Sequence, residues 1–156
     1  MEANPVEMSK SRQVQNVRKH LEIDQSLKSE LYKFRFSVLW LFGEVTLLTF
    51  LVLEFMEQGV MEGIIAGNMR GLPLGPGTLL FYAVSLLIPL VMSFLSLTLK
   101  YSMNRWANII VGVIYTGLYL MDLVAHLAVP YAYAILMGIA SVVAQLLIVW
   151  YAWKWV

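Results

Sequence analysis

The sequence predicts an all-α integral membrane protein: a four-helix bundle that runs up-down-up-down, preceded by an N-terminal cytoplasmic amphipathic helix. Two observations lead to this prediction. Of the 156 residues, 60% are hydrophobic and 13% are charged, whereas soluble domains contain about 45–50% apolar residues. The apolar residues are also gathered into four long segments separated by polar or glycine-rich connectors. A water-soluble core cannot bury such an excess of apolar side chains.

The chain divides into an N-terminal arm, residues 1–35, and a transmembrane domain, residues 36–156. A transmembrane helix needs about 20 apolar residues to cross a hydrocarbon layer roughly 30 Å thick. Four segments meet this requirement: 36–56, 78–99, 106–129 and 131–153. The glycine- and proline-rich connector 57–77 leaves room for no more than a short helix, and only Pro130 separates the last two spans. Short connectors place successive helices antiparallel in a bundle.

The positive charges predict the orientation of the spans, because Lys and Arg near span ends are retained in the cytoplasm. Seven of the eleven Lys and Arg residues precede Ser37. Lys100 and Arg105 flank the turn between the second and third spans, and Lys154 follows the fourth. The first connector carries only Arg70. Both termini and the middle turn are therefore predicted to be cytoplasmic. Tryptophans at the same end fit an interfacial aromatic belt: Trp40, Trp106, Trp150, Trp153 and Trp155.

The arm is predicted to be partly helical, but its apolar residues do not form one continuous face. They form two offset runs, Val14, Val17, Leu21 and then Ile23, Leu27, Leu31, Phe34. One interpretation is a helical extension of the first span that packs on its own bundle, and we favour it. The other is a surface helix that binds the membrane or a cytoplasmic partner through its basic side.

Ionisable and hydrogen-bonding residues lie inside two of the predicted spans. In the third span they fall within roughly 60° of one another, at about 100° per residue, and so form one stripe: Asn108, Tyr115, Tyr119, Asp122 and His126. The first span carries Glu44 and Glu54. Comparison of depth predicts that Glu44 lies beside Tyr115 or Tyr119, and that Glu54 lies beside His126. A charge at a span centre costs on the order of 2.5–3.5 kcal/mol, so Glu44 should be neutral, paired or beside water.

Two interpretations of these residues stay open. Ionisable groups at depth often line pathways or binding sites, which makes Glu44, Asp122, His126 and Glu54 candidates for binding a proton or another ion. Polar side chains on membrane helices also serve as interhelical contacts alone. That role is favoured for Asn108, Tyr115 and Tyr119, with pathway lining as the alternative. Small and polar residues on the fourth span are assigned to helix packing: Ala134, Gly138, Ser141 and Gln145.

The sequence also argues against several other classes of function. The chain has no cysteine, which excludes thiol redox chemistry and Cys-ligated metals. Asp122 and His126 share a helix face, but a metal site in a bundle draws Glu and Glu-x-x-His ligands from several helices, so no metal site and no cofactor are predicted. No nucleophile triad, phosphate loop or nucleotide fingerprint is present, so an enzyme is not expected. A net charge of +1 gives no attraction to nucleic acid.

Several runs resemble a family of prokaryotic four-span membrane proteins catalogued as domain of unknown function 6326. They are Asn104 to Gly112, the preceding Ser93 to Lys100, the ending Val149 to Trp155 and the pair Gly43-Glu44. The similarity extends from Phe36 to the C-terminus, and the arm departs from it. The resemblance implies a prokaryotic cell (inner) membrane location. It also marks Glu44, Asn104, Arg105 and Asn108 as the positions to test, with Asn104 and Arg105 in the cytoplasmic turn.

The sequence thus favours a small oligomeric proton or cation pathway that uses buried carboxylates. The alternative is a non-transporting membrane scaffold or regulatory subunit whose polar stripe serves helix packing. The expected partners are the lipid bilayer, further copies of the chain and a cytoplasmic protein that binds the arm.

Overall fold

The computed structural model of the chain describes residues 5–69, 71–128 and 131–155, with side chains from Lys10 onward except residue 11. Arg70 in the first connector, the end of the third span at Val129 and the Pro130 turn lie outside the described residues.

The described part of the chain is built from helices and one small hairpin. The elements are α1 Pro5–Phe55, α2 Val60–Ile65, β1 Asn68–Met69, β2 Leu72–Pro73, α3 Pro76–Thr98, α4 Tyr101–Leu127 and α5 Ala132–Lys154. Within the described residues, four helices, α1, α3, α4 and α5, are long and apolar enough to cross a membrane. The prediction of an all-α chain with four membrane-length helices is confirmed, and it indicates a membrane protein.

Helix α1 continues without a break through the predicted boundary between arm and first span. The sequence from Val6 to Phe42 contains neither glycine nor proline, so nothing in it favours ending a helix there. Ion pairs one turn apart add support on the exposed surface, such as Lys28 with Asp24 at 2.6 Å. Such pairs stabilise a helix by a few tenths of a kcal/mol, about 0.2–0.5 each.

The arm is a helical extension of the first span, as the favoured interpretation has it, but its two apolar runs do not pack on the bundle. The side chains of both apolar runs are exposed, from Val14 at 68% to Phe34 at 62%. Packing begins at Tyr32 and Phe36, whose rings lie 5.5 Å from the Trp155 ring. Helix α5 ends at Lys154, so the part of α1 before Tyr32 has no α5 residues beside it and projects beyond the bundle.

The first connector is more ordered than the sequence predicts. Helix α2 is followed by an antiparallel pairing of β1 with β2. Gly71 in the hairpin turn has φ 87, a left-handed conformation that glycine adopts without a steric penalty. Its N–H donates to Asn68 Oδ1 at 2.7 Å.

The helices pack around a core of aromatic and aliphatic side chains. Helix α1 contacts α3 and α5, and α4 contacts α5. Phe36, Trp40 and Ile148 are fully buried. Helices α4 and α5 approach closely at two glycines: a Cβ at Gly112 would lie 2.9 Å from Val149 Cγ2, and one at Gly138 would lie 2.8 Å from Leu123 Cδ1. Small residues permit this kind of approach between membrane helices.

Candidate functional site

Three groups of polar residues lie along the bundle, and most of their side chains are buried. We call them the amide network (Trp40, Ser96, Asn104 and Asn108), the carboxyl cluster (Glu44, Tyr119 and Gln145) and the outer cluster (Glu54, Asp122 and His126). The amide network lies nearest the α3–α4 turn, the carboxyl cluster lies next along α1 and α4, and the outer cluster lies nearest α2.

The amide network joins α1, α3 and α4 through fully buried side chains. The Trp40 indole donates to Asn108 Oδ1 at 2.8 Å. The Asn108 amide donates to Asn104 Oδ1 at 2.7 Å and to the Asn104 carbonyl at 2.8 Å. Asn104 in turn donates to the Ser96 carbonyl at 2.6 Å. Each amide is satisfied within the bundle, so this group fits a structural role.

The two residues predicted in the turn between the second and third spans, Asn104 and Arg105, lie in the first turns of α4 and have different surroundings. Asn104 belongs to the amide network and is fully buried. Arg105 donates to the Trp153 carbonyl at 3.3 Å, while Tyr101 donates to the Trp155 carbonyl at 2.8 Å. A cation beside the last carbonyls of a helix interacts favourably with its dipole. Arg105 thus binds α4 to the end of α5.

Tyr115 forms a hydrogen bond with the backbone of α3. Pro89 lies inside α3 and has no N–H, so the carbonyl of Ser85, four residues earlier, loses its usual helical donor. The Tyr115 hydroxyl donates to that carbonyl at 2.8 Å. A freed carbonyl in a membrane helix needs such a substitute. Of the two tyrosines predicted beside Glu44, Tyr115 therefore has a separate hydrogen-bonding task.

The carboxyl cluster is where α1, α4 and α5 converge. Glu44 is 2% exposed and Gln145 is fully buried. An added Cβ at Gly43, the neighbour of Glu44, would lie 3.4 Å from Gln145 Nε2. Tyr119 is close enough to Glu44 for a direct electrostatic interaction. A carboxyl, a phenol and a carboxamide are thus brought into one buried region.

Four polar atoms of this cluster are not satisfied within the described part of the chain. Glu44 Oε2, the Tyr119 hydroxyl and both polar atoms of the Gln145 amide make no hydrogen bond there. A buried polar group without a partner costs about 1–3 kcal/mol. The set offers both donors and acceptors, so it is suited to bind a proton, a water molecule or a small polar ligand.

Sequence reasoning assigned Gln145 to helix packing and Trp40 to the membrane interface, and it missed their places beside the polar residues. The available signal for Gln145 was an amide in the middle of an apolar span, on the face that carries Ser141 and Ala134. No comparable signal marked Trp40, since a tryptophan near a span end ordinarily fits the interface.

The outer cluster contains two buried side chains and one exposed side chain. Glu54 and His126 are buried, at 4% and 6% exposure, and the His126 ring meets Phe50 edge-on at 5.2 Å. His126 Nδ1 lies 2.8 Å from the Asp122 carbonyl and 3.6 Å from its carboxylate. The Asp122 side chain itself is 51% exposed. Its spacing places Asp122 on the polar face of α4, but that face opens to the surface at this level.

No group of three or more His, Asp and Glu side chains that could hold a metal ion occurs within residues 5–69, 71–128 and 131–155.

Near α2, Tyr133 donates to the Glu57 carboxylate, which connects α5 to the first connector.

The role of Tyr115 can be tested with a double-mutant cycle. Tyr115→Phe should lower stability by about 1 kcal/mol, a typical value for one hydrogen bond. In a Pro89→Ala background the same change should cost little, because the alanine supplies the missing backbone donor. Thermal unfolding in detergent measures both. Equal losses in the two backgrounds would show that the hydroxyl does not compensate for the proline.

Comparisons with known proteins give one result beyond this geometry. No curated protein matches the chain significantly, and no solved structure does. The profile of a family of unknown function (DUF6326) matches residues 25–156, a range that contains α3, α4, α5 and the part of α1 from Gln25 onward. The match therefore also covers residues 25–35 of the arm, which the sequence resemblance had left out. The chain therefore belongs to the DUF6326 family, as its sequence resemblance indicated.

Proposed function

We propose that this protein is a multi-pass protein of a prokaryotic cell (inner) membrane whose four long helices run up-down-up-down. The order of the side-chain contacts supports this topology. Moving along α1 from Trp40 to Phe50 moves the α4 partner forward, from Asn108 to His126. Two helices whose contacts advance together run parallel, as the first and third helices of such a bundle do.

Contacts between α4 and α5 run in the opposite order. Near the start of α4, Tyr101 contacts Trp155, whereas Leu123, near its end, lies beside Gly138. The end shared by Tyr101 and Trp155 carries Arg105 and Lys154. Positive charge at this end favours a cytoplasmic position for both termini and for the α3–α4 turn.

Cysteine labelling tests this orientation, since the natural chain has no cysteine. Gln58→Cys lies beyond α1 in the first connector, and Ser102→Cys lies at the start of α4; both positions are exposed. In intact cells a membrane-impermeant maleimide should label only the Gln58→Cys variant, and after permeabilisation it should label both variants. Labelling of the Ser102→Cys variant alone in intact cells would reverse the proposed topology.

For the activity, the observation with most weight is the buried carboxyl of Glu44. It lies eight residues beyond Phe36, which contacts the end of the bundle; at 1.5 Å per residue this is ~12 Å deeper along α1. A carboxyl so placed costs on the order of 2.5–3.5 kcal/mol when charged. Its Oε2 atom accepts no hydrogen bond from the described residues that would offset this cost. We infer that Glu44 binds and releases a proton or a cation as part of a membrane pathway.

Protons fit this site better than metal cations do. Hard cations such as Ca²⁺ and Mg²⁺ take six or more oxygen ligands, and the side chains of the cluster offer the oxygen atoms of one carboxylate, one hydroxyl and one amide. A proton needs a single acceptor and a route to water. The proposed activity is passive or coupled proton movement, not an enzymatic reaction.

The outer cluster gives the pathway a second position. Glu54 is ten residues beyond Glu44 on α1, ~15 Å along the helix, and it lies buried at the same end as His126. Both are groups that can exchange protons. A gap of this length requires water or further polar groups between the two levels. An oligomer with a hydrated interface would supply them more readily than a single four-helix unit.

A non-transporting scaffold or regulatory subunit is the second candidate, and the amide network favours it. Asn104 and Asn108 are fully buried and hydrogen-bonded, as expected for side chains that only hold helices together. The projecting arm would then bind a cytoplasmic partner. Proton flux distinguishes the two candidates.

The test uses purified protein in liposomes that contain a pH-sensitive dye. The wild-type chain should increase proton flux, and Glu44→Gln should reduce it to the level of protein-free liposomes, because the amide keeps the shape but cannot release a proton. Glu62→Gln is the matched control, since Glu62 is exposed in α2, and it should keep the wild-type flux. Thermal unfolding confirms that each variant is folded.

Two results would rule out the pathway: no flux above background for the wild-type chain, or equal flux for the wild type and Glu44→Gln. Either would leave the scaffold as the better supported function.

A further inference from the structure

The outward face of α1 carries a continuous seven-residue repeat. Large apolar side chains recur at alternating steps of four and three residues; we call this set the outer seam. It consists of Leu27, Leu31, Phe34, Val38, Leu41, Val45, Leu48, Val52 and Phe55. Every member is at least 42% exposed. An apolar repeat of 3.5 residues is the pattern of helices that wind around each other.

The bundle uses the opposite face of α1. Phe36, Trp40, Glu44, Phe50 and Glu54 point inward and are buried. The outer seam therefore has no role in packing the four helices of its own chain. Its repeat must be explained by something outside that chain.

Lipid can cover only part of the outer seam. Helix α1 has 51 residues, a length of ~76 Å, whereas the hydrocarbon layer is roughly 30 Å thick. Tyr32 lies level with Trp155 at the end of the bundle. Leu27 and Leu31, which are 59% and 55% exposed, thus lie where the membrane ends. Apolar side chains that continue the seam into water favour a protein partner over lipid alone.

The residue types specify what kind of partner fits. In the repeat, the first core position holds Leu31 and then Val38, Val45 and Val52. The second holds leucine or phenylalanine throughout: Leu27, Phe34, Leu41, Leu48 and Phe55. β-Branched residues at the first core position with leucine at the second favour a parallel two-stranded coiled coil. Two copies of one membrane protein insert with the same orientation, so their α1 helices meet in parallel.

Charges beside the outer seam match a second copy. Glu30 occupies the flanking position before Leu31, and Arg35 the flanking position after Phe34. In a parallel coiled coil, flanking positions five residues apart face each other across the two helices, so Glu30 of one copy would face Arg35 of the other. Glu30 also binds Lys33 of its own chain at 2.8 Å. The Arg35 guanidinium lies 5.4 Å from the centre of the Tyr151 ring, which holds it at the edge of the bundle.

The surface also offers space for side chains of a partner helix. An open apolar groove of 290 Å³ lies near the end of α1, lined by Val45, Leu48, Thr49, Val52 and Leu53. Three of these five residues belong to the outer seam. Coiled-coil packing inserts core side chains into such depressions between residues of the facing helix.

We propose that two copies of this chain associate in parallel along the outer seam, through a coiled coil that begins in the cytoplasm and continues into the membrane. The proposal goes beyond the pathway and does not depend on Glu44. A dimer that conducts no protons would contradict only the proposed activity.

Disulfide crosslinking tests the interface in membranes that contain the full chain. Leu27→Cys and Leu31→Cys place a thiol in the seam, and Gln25→Cys and Ser26→Cys place one on the exposed flank of the same turns. A disulfide needs Cα atoms roughly 4.4–6.8 Å apart. Under mild oxidation, the two seam variants should give a covalent dimer, whereas the two flank variants should remain largely monomeric. Thermal unfolding confirms that all four variants are folded.

Charge reversal provides the second measurement. In the Leu31→Cys chain, Glu30→Arg should reduce the crosslinked fraction, because it places like charges opposite each other. Adding Arg35→Glu should restore that fraction. The proposal is overturned by equal crosslinking in all four variants, by its absence in both seam variants, or by crosslinks of the seam variants to a different protein. It is also overturned if the double reversal fails to restore the dimer.

Discussion

The absence of hydrogen-bond partners in hydrocarbon is the constraint on which the structure depends. Each polar group placed inside the bundle needs a partner within the protein, and most of the described groups have one. Tyr115 supplies the donor that Pro89 removed from the Ser85 carbonyl. Trp40 and Asn108 satisfy each other between α1 and α4. These bonds determine which helix faces turn inward, and the aromatic core forms around them.

The carboxyl cluster departs from this pattern, and the departure is the reason for assigning it a function. Glu44, Tyr119 and Gln145 are buried like the satisfied amides, but Glu44 Oε2, the Tyr119 hydroxyl and the Gln145 amide lack hydrogen bonds within the described part of the chain. A packing role would be served by apolar side chains of similar size at less cost. Retaining an ionisable group there is understandable if its protonation is used.

The sequence predicted the four membrane-length helices and most of the buried polar positions, because hydropathy and a period of 3.6 residues depend on one helix at a time. It did not predict that Asp122 would be half exposed or that Gln145 would lie beside Gly43, since both depend on how neighbouring helices pack. The arm shows the same limit. Its helical structure could be predicted because it lacks helix-breaking residues. Its exposure could not, because that depends on how far α5 extends beside α1.

The central claim is that Glu44 exchanges a proton with water from inside the bundle. Infrared difference spectroscopy between two pH values, on the chain in lipid, tests it most directly. The account predicts a carboxyl signal in the wild type that disappears in Glu44→Gln and persists in Glu62→Gln. Identical difference spectra for the wild type and Glu44→Gln, with both proteins folded, would contradict it, because Glu44 would then be a buried polar residue whose protonation does not change.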